Sequence, residues 1–188
     1  VTYKVMKVMR DSPRSVPFFD YPGLFSERKD EYLEVISTVL SGGRFILQEE
    51  LEQFEAHLAD YMGLRHAIGV GNGTDAIVIG LHAIGIGSGD EVILPSHTFV
   101  ATAAAVKQVG ATPILVDVGD DHMIDPLCVE SAVTERTKAI IPVHLNGRTC
   151  DMEALTGIAE AYGLLIMEDA AQGLGSRFRG RMAGTFGA

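Results

Sequence analysis

The sequence is poor in cysteine, in positive charge and in long apolar runs, and it contains no tryptophan. Its two cysteines, Cys128 and Cys150, form no C-x-x-C pair and have no metal-ligand spacing, so we expect reduced thiols and no metal site. No stretch reaches the ~20 apolar residues that a membrane-spanning helix needs. No apolar core of signal-peptide length follows the basic residues Lys4, Lys7 and Arg10. These absences predict a soluble, cytoplasmic protein.

The shortage of positive charge restricts the class of partner. Fifteen basic and 25 acidic residues give 15 − 25 = −10, a net charge that would repel nucleic acid and anionic membranes. The chain has 188 residues, 47% of them hydrophobic and 21% charged. That length and composition are typical of a folded protein with one α/β core.

The first part of the chain predicts an N-terminal helical arm. Residues 1–25 look irregular, because "RDSPRSVPFFDYPGLF" holds three prolines and no sustained period. A helical stripe then begins after Ser26, a plausible N-cap, and a second amphipathic helix is predicted over 49–62 with Gly63 just beyond its end. We therefore assign 26–65 to N-terminal helices.

From residue 66 the rhythm changes to short apolar runs that alternate with helical segments. The runs have no polar face, which is typical of parallel strands buried on both sides. This pattern predicts, over 66–188, an α/β domain with a doubly wound, mainly parallel sheet and helices on both faces. The candidate strands are "HAIGV", "EVILP", "TPILV", "KAIIPV" and "LLIME", and the candidate helices lie near 74–84, 98–108, 126–133 and 151–162.

Ligands of open parallel sheets bind beyond the carboxyl ends of the strands. The segments that follow the predicted strands are "GNGTDA", "SHTFVAT", "DVGDD", "HLNG" and "DAAQ". We therefore expect the functional site at this edge.

The glycine-rich segment "GVGNGTDA" predicts a phosphate site. It follows a strand and opens a helix, so the amides of Thr74 and Asp75 would point outward at a positive helix N-terminus. The alternative is an ordinary N-cap turn in which Thr74 or Asp75 satisfies the helix amides. A dinucleotide fingerprint fails because Thr74 holds the third glycine position, and no Gly-Lys-Ser/Thr of a P-loop occurs.

Three further side chains suit the face and the edges of a pyridine ring. Phe99 offers a flat surface for stacking, although a phenylalanine early in a helix is more often a core residue. Asp169 could keep a pyridine nitrogen protonated, as pyridoxal phosphate requires, and Gln172 could reach its phenolic oxygen. The alternative is that Asp169 caps a turn and Gln172 faces water. Because these residues and the glycine loop all follow neighbouring strands, together they predict a single cofactor site.

The order of the motifs resembles the DegT/DnrJ/EryC1/StrS family of sugar aminotransferases from about residue 15 to the last residue. The motifs that carry the resemblance are "GGRFIL", "GVGNGTDAI", "GIGSGDEVILPSHTFVATAAAV", "GATPILVDV", "TERTKAIIPVHLNG", "IAEAYGLLIMEDAAQGLGS" and "RGRMAGTFGA".

The resemblance implies a fold-type-I large domain, a homodimer and pyridoxal 5′-phosphate (PLP). It also implies transfer of an amino group, usually from glutamate, to a nucleotide-linked keto sugar in amino-sugar or cell-surface polysaccharide biosynthesis. By position, Thr74 and Asp75 match the family's phosphate-binding residues, and Phe99 its stacking aromatic. Asp169 matches the residue at the pyridine nitrogen, and Gln172 the residue at the phenolic oxygen.

The chain also departs from the family. Asn146 and Arg148 stand where an aromatic residue and a glutamine are common. The family's Schiff-base lysine lies in a segment that begins just past "GTFG", which implies that 66–188 is incomplete at its C-terminal end. Five lysines are present, and none is expected at the site: Lys138 opens its strand at the opposite edge, Lys107 ends a helix, and Lys4, Lys7 and Lys29 lie in the arm. We therefore expect no catalytic residue within the chain and no amino transfer by it alone.

Two alternatives stay open at this point. One is a PLP-dependent sugar dehydratase of the same family, in which a histidine replaces the lysine. The other is a non-catalytic α/β module that kept the fold and binds no cofactor. Separately from these alternatives, an incomplete sheet would expose apolar surface, and we expect the isolated chain to be poorly soluble.

Overall fold

The structure is a computed structural model that describes residues 16–43 and 45–187. None of the helices in these two ranges is long and apolar enough to cross a membrane. The helices are α1 (Tyr21–Glu27), α2 (Lys29–Ser41), α3 (Glu49–Met62), α4 (Gly73–Ala83), α5 (Val100–Gln108), α6 (Pro126–Ser131) and α7 (Met152–Tyr162), with a 3₁₀ turn at Leu145–Gly147. The strands are β1 (Glu91–Pro95), β2 (Thr112–Val116), β3 (Thr137–Ile140), β4 (Leu165–Ile166), β5 (Arg177–Phe178) and β6 (Arg181–Met182).

The chain divides into two compact units, Val1–Glu52 and Gln53–Ala188. The first contains α1, α2 and the first turn of α3. The second contains the rest of α3 and all the strands. The division falls inside α3, and the sequence-based boundary near residue 65 stays a prediction.

The second unit is built on a parallel sheet with the strand order β2-β1-β3-β4. β1 is central: it pairs in parallel with β2 from Glu91 opposite Thr112 onward, and on its other side with β3. From β1 the chain moves outward to β2 and then crosses back to β3. The strand order therefore reverses between β1 and β3, which defines the switch point of a doubly wound sheet.

Alternate residues of the strands pack into two separate hydrophobic cores, one on each face of the sheet. Ile93 and Ile140 pack with Leu155 of α7 on one face, in a cluster that also includes Val129 of α6. On the other face, a second cluster contains Val92, Leu94 and Ile141 of the sheet region together with Leu81 of α4 and Val106 of α5. Helices cover both faces, so the predicted fold class is confirmed.

The N-terminal unit differs from the prediction at two points. Residues 21–25, predicted to be irregular, belong to α1, because the Asp20 side chain accepts a hydrogen bond from the Gly23 N–H (3.1 Å) and Pro22 fits the first turn of a helix. Ser26 lies inside α1 and its hydroxyl donates to the Pro22 carbonyl, so it does not cap the next helix. The predictions for residues 1–15 lie outside the described residues.

The predicted strand "HAIGV" is wrong. Residues 66–70 adopt no strand, and Ile68 is 81% exposed. A strand forms only against a partner, and no strand of the described residues pairs with this segment. Its contact with α3 is instead a hydrogen bond from the Gly69 N–H to Glu55 Oε1 (2.5 Å).

The predicted strands "KAIIPV" and "LLIME" are confirmed but shorter. The regular ladder ends at Ile140, and Pro142 has no N–H to continue it. Single hydrogen bonds carry the pairing onward, from the Asp169 N–H to the Pro142 carbonyl (2.9 Å) and from the His144 N–H to the Asp169 carbonyl (3.0 Å). Asp169 is thereby held at the carboxyl edge of the sheet.

Candidate functional site

A cavity of about 340 Å³ opens at the switch point, beyond the carboxyl ends of β1 and β3. Its wall comes from the start of α4, from the β1–α5 connection and from the segments that follow β3 and β4. The lining residues are Asn72, Gly73, Thr74, Ile77, Thr98, Phe99, Ala101, Val143, Leu145, Asp169, Ala171 and Gln172.

Four of the five residues predicted for the site share this wall: Thr74, Phe99, Asp169 and Gln172. The fifth, Asp75, lies in the first turn of α4 but is not on the wall. The structure thus brings together residues up to 98 positions apart in the sequence, from Thr74 to Gln172. The roles that the sequence gives them stay predictions.

The N-terminus of α4 is capped by Asn72. Its Oδ1 accepts a hydrogen bond from the Asp75 N–H (2.9 Å), and its Nδ2 donates to Asp75 Oδ2 (2.9 Å). The cap is therefore Asn72, and neither Thr74 nor Asp75 has the capping role that the alternative gave them. The Asp75 N–H, predicted to face a phosphate, is instead used by this cap. Within the described part of the chain, the N–H groups of Gly73 and Thr74 find no acceptor. Two amides remain free for an anion at a positive helix end.

Phe99 is the residue before α5 and has extended backbone angles (φ −67°, ψ 140°). Its side chain is 69% exposed and lies on the cavity wall. A phenylalanine this exposed is not a core residue, which removes the alternative interpretation of Phe99. Its ring offers an aromatic face to the cavity.

The carboxylate of Asp169 is fixed from two sides. Its Oδ2 accepts a hydrogen bond from the Thr102 hydroxyl at 2.7 Å, and its Oδ1 accepts from the Ala171 N–H at 3.3 Å. An ionised carboxylate has about four lone-pair sites. Two are used here, so further acceptor capacity remains for a donor in the cavity.

The amide of Gln172 is oriented by the backbone of Asn146. The Asn146 N–H donates to Gln172 Oε1 at 2.8 Å, and because an N–H can only donate, the oxygen of the amide is the atom that faces Asn146. The NH₂ group is then the end of Gln172 that can donate elsewhere. Asn146 adopts a left-handed conformation (φ 55°), which asparagine tolerates better than most residues. Asn146, one of the departures from the family pattern, thus has a structural role.

The residue before Asp169 anchors the end of the described chain. Glu168 Oε2 is 2.8 Å from His144 Nε2 and accepts from the Gly184 N–H (2.7 Å). Its Oε1 accepts from the N–H groups of Phe186 (2.5 Å) and Gly187 (2.8 Å). Burial would raise the pKa of Glu168, but these hydrogen bonds outweigh burial and lower it.

The protonated nitrogen of His144 follows from its partners. The Cys150 N–H donates to Nδ1 at 3.2 Å, so the ring proton is on Nε2, where it is donated to Glu168. Burial raises the pKa of the neighbouring Cys150 thiol to about 12. Both His144 and Cys150 are fully buried, and their hydrogen bonds hold Glu168 and the segment after β3 in place.

Several of these residues were missed from sequence. Asn72 carried a signal, since asparagine before a helix is a preferred N-cap. Thr102 carried a weaker one, as a polar residue within the small and apolar stretch "VATAAAV" of α5. The Asn146 contact had no signal, because it uses a backbone N–H.

Two kinds of group are absent from the site as far as the structure describes the chain. No lysine lies on the cavity wall: Lys138 is at the opposite end of β3, and Lys107 is in the last turn of α5. In addition, no three His, Cys, Asp or Glu side chains within 16–43 and 45–187 are grouped so that they could hold a metal ion.

Comparison with known proteins identifies relatives of this architecture. The sequence pattern of the DegT/DnrJ/EryC1/StrS aminotransferase family matches residues 26–188. The dTDP-3-amino-3,4,6-trideoxy-α-D-glucose transaminase of Streptomyces venezuelae is 48% identical over 180 residues, which are 95% of this chain and 47% of that protein. The chain thus spans about half the length of the curated relatives it matches.

Solved structures share the same fold. The structure of NtdA from Bacillus subtilis with bound cofactor PMP has a TM-score of 0.86 and 41% identity, covering 93% of this chain and 40% of that one. A GDP-4-keto-6-deoxymannose-3-dehydratase with a trapped PLP-glutamate geminal diamine has a TM-score of 0.78 and 28% identity, covering 82% and 42% of the two chains.

Proposed function

This chain belongs to the DegT/DnrJ/EryC1/StrS aminotransferase family, and from that membership we propose that its switch-point cavity binds pyridoxal 5′-phosphate. The protein would serve the transfer of an amino group, from a donor such as glutamate, to a nucleotide-linked keto sugar in amino-sugar or cell-surface polysaccharide biosynthesis. Relatives named as transaminases of dTDP- and UDP-linked sugars support this substrate class.

One observation carries the proposal: two backbone N–H groups and three side chains, each suited to a different part of one cofactor, lie on a single wall. The free N–H groups of Gly73 and Thr74 suit a phosphate, and the exposed face of Phe99 suits an aromatic ring. The Asp169 carboxylate can accept a hydrogen bond from a protonated ring nitrogen. The NH₂ group of Gln172 can donate to a phenolic oxygen.

When bound, the cofactor would supply an electron sink, because its protonated ring withdraws electron density from the reacting centre. In that chemistry, the residues of this chain would bind the cofactor and orient its ring. Asp169 keeps the proton on the ring nitrogen, and the apolar wall of Ile77, Val143 and Leu145 keeps water away from one side. The described residues supply no lysine for covalent attachment, so we propose that amino transfer needs a lysine from outside them.

The proposal extends to the oligomeric state and the cellular location of the protein. We propose a homodimer, as the family resemblance implies, and the many exposed apolar side chains support association. Cytoplasmic location is supported by two unpaired cysteines, Cys128 and Cys150, which suit a reducing compartment.

The cofactor proposal is tested by titrating the chain with PLP and following cofactor absorbance. We expect saturable binding that Asp169→Asn weakens roughly 10- to 100-fold, since a hydrogen bond to a charged group contributes about 1.5–3 kcal/mol. Asp60→Ala, which removes an exposed carboxylate from α3, is the matched control and should bind as the wild type does. A wild-type chain that shows no saturable binding would favour the non-catalytic module.

A second candidate reaction is dehydration of the sugar, supported by the structural match to a GDP-sugar dehydratase. The same wall would serve both reactions, because both use the ring as an electron sink. Incubation of the cofactor-loaded, full-length protein with ¹⁵N-glutamate and keto-sugar nucleotides separates them. Amino transfer puts ¹⁵N on the sugar, whereas dehydration gives a sugar that has lost water and carries no ¹⁵N.

A further inference from the structure

Thr102 is a polar side chain buried completely in α5. Its neighbours in the helix are mainly alanine and valine, and a buried hydroxyl without a partner would be costly. Its Oγ1 lies 2.7 Å from Asp169 Oδ2, 67 positions away in the sequence. Two other oxygens, the Phe99 carbonyl and the Thr98 hydroxyl, are both at 3.4 Å.

The direction of the short contact is fixed by chemistry. A threonine hydroxyl carries one proton, and an ionised carboxylate can only accept. The distance to Asp169 is that of a good O–H···O hydrogen bond, whereas 3.4 Å exceeds the usual range. The proton is therefore donated to Asp169.

This hydrogen bond limits the rotation of the Asp169 carboxylate. One oxygen is held by Thr102 and the other by the Ala171 N–H, so the plane of the carboxylate is set by two elements of the fold. The lone pairs not used by these donors are the ones left to face the cavity, whose wall Asp169 shares.

The same helix also places the aromatic face. Phe99 immediately precedes α5, and its carbonyl accepts a hydrogen bond from the Thr102 N–H at 3.3 Å. One turn of α5 thus links the residue proposed for the ring face to the residue that holds the acid.

We propose that Thr102 is a positioning residue that aims the Asp169 carboxylate at the ring nitrogen of the cofactor, an inference that rests on the proposed function. Thr102 does not line the cavity, so it would act on a bound ligand only through Asp169. Its loss should therefore weaken only ligands that have a ring nitrogen.

Two substitutions and two ligands test this positioning role. Thr102→Val keeps the shape and removes the donor, whereas Thr102→Ser keeps the donor. PLP is compared with its 1-deaza analogue, in which a carbon replaces the ring nitrogen, by calorimetric or absorbance titration of the full chain.

We expect Thr102→Val to raise the Kd for PLP about tenfold and to leave the Kd for the deaza analogue within about twofold. Thr102→Ser should restore the wild-type Kd for PLP. In the Asp169→Asn background, Thr102→Val should have no further effect on PLP binding, because the shared target is gone.

Two results would overturn the inference. Thr102→Val could bind PLP as tightly as the wild type, or it could lose PLP and the deaza analogue equally, which would show a general structural effect. The melting temperature of each variant without ligand separates unfolding from weakened binding. A wild-type chain that binds neither ligand would instead refute the proposed function, and the positioning role with it.

Discussion

At the scale of single residues, the site depends on which atom of each polar group faces the cavity. Gln172 is the clearest case, since the Asn146 N–H selects its oxygen and leaves its NH₂ group free. The donor is a backbone N–H in a left-handed turn, so the contact does not depend on any charge of the Asn146 side chain. The polarity of the site is therefore set by the fold as well as by the side chains.

The orientation of Gln172 predicts a strong effect of a nearly isosteric change. In Gln172→Glu one oxygen can still accept from Asn146, but the other would present a negative charge to the phenolic oxygen of the ring. We expect the Kd for PLP to rise about tenfold or more, measured by absorbance titration. Gln108→Glu adds the same charge at the exposed end of α5 and should leave the Kd unchanged. Tight PLP binding by Gln172→Glu would contradict the assigned orientation.

The residue scale also shows how far the sequence could predict the site. Phe99, Asp169 and Gln172 were predictable because each follows a strand at one edge of a parallel sheet. Thr74 was predictable because it opens a helix after a glycine-rich segment, although the strand predicted before that segment does not form. Thr102 was not predicted as a partner of Asp169, because their contact joins helix α5 to the end of another strand. Such contacts depend on how secondary-structure elements pack against each other, and the spacing of residues along the sequence does not predict that packing.

At the scale of secondary-structure elements, the N-terminus of α4 both caps the helix and presents free N–H groups. Asn72 caps the helix, and the cap leaves the N–H groups of Gly73 and Thr74 directed outward without acceptors. Asn72 thus contributes both to the stability of α4 and to the geometry of the proposed phosphate site. A variant at Asn72 should show both effects.

Asn72→Ala should lower the free energy of unfolding by about 1 kcal/mol, the usual cost of losing an N-cap, and should also raise the Kd for PLP. The control is Asp125→Ala, which removes the cap of α6, where Asp125 Oδ1 accepts from the Leu127 N–H at 2.9 Å. It should cost similar stability in a urea titration without changing the Kd. Equal Kd changes in the two variants would mean that α4 has no special relation to the ligand.

Glu168 joins the end of β4 to the segment Gly184–Gly187, and its carboxylate accepts hydrogen bonds from four donors. Because the pKa of Glu168 is lowered in the folded state, its contribution to stability is present above the unfolded-state pKa of roughly 4.3. That contribution is lost as the pH falls through the lower, folded-state pKa. The carboxylate therefore stabilises this segment at neutral pH.

Glu168→Gln leaves a single acceptor oxygen for donors that now use two, so some buried N–H groups lose their partner. We expect a loss of about 2 kcal/mol or more at pH 7, measured by urea unfolding. Between pH 7 and pH 3.5 the stability of the variant should fall less than that of the wild type. Glu160→Gln, on the exposed side of α7, should behave as the wild type does. An unchanged pH dependence in Glu168→Gln would refute this role.

The elements themselves differ in how well the sequence predicts them. Strand β1 is a short, continuous apolar run and helix α3 has a helical period of apolar residues, and both occur at the predicted residues. Residues 66–70 have the composition of a strand but lack a pairing partner. The hairpin of β5 and β6 was missed, although its turn at Arg179 and Gly180, both with positive φ, has the glycine typical of two-residue turns.

At the scale of the whole molecule, the surface combines a net charge of −10 with many exposed apolar side chains. Helix α2 is an example, since none of its residues is buried although Leu33, Ile36 and Leu40 share one stripe. Exposed apolar area of this kind drives association, and the charge opposes it. The balance between them can be measured.

We expect the chain to self-associate as its concentration rises, with light scattering that grows more steeply at high salt because the charge repulsion is then screened. Ile36→Glu places a charge in the apolar stripe of α2 and should lower the scattering severalfold. Thr38→Glu adds the same charge on the opposite side of the helix and serves as the matched control. If both variants lowered the scattering equally, net charge alone would account for it. If neither did, the α2 stripe would not be the associating surface, and the exposed side chains of the second unit, such as Leu127, would be tested next.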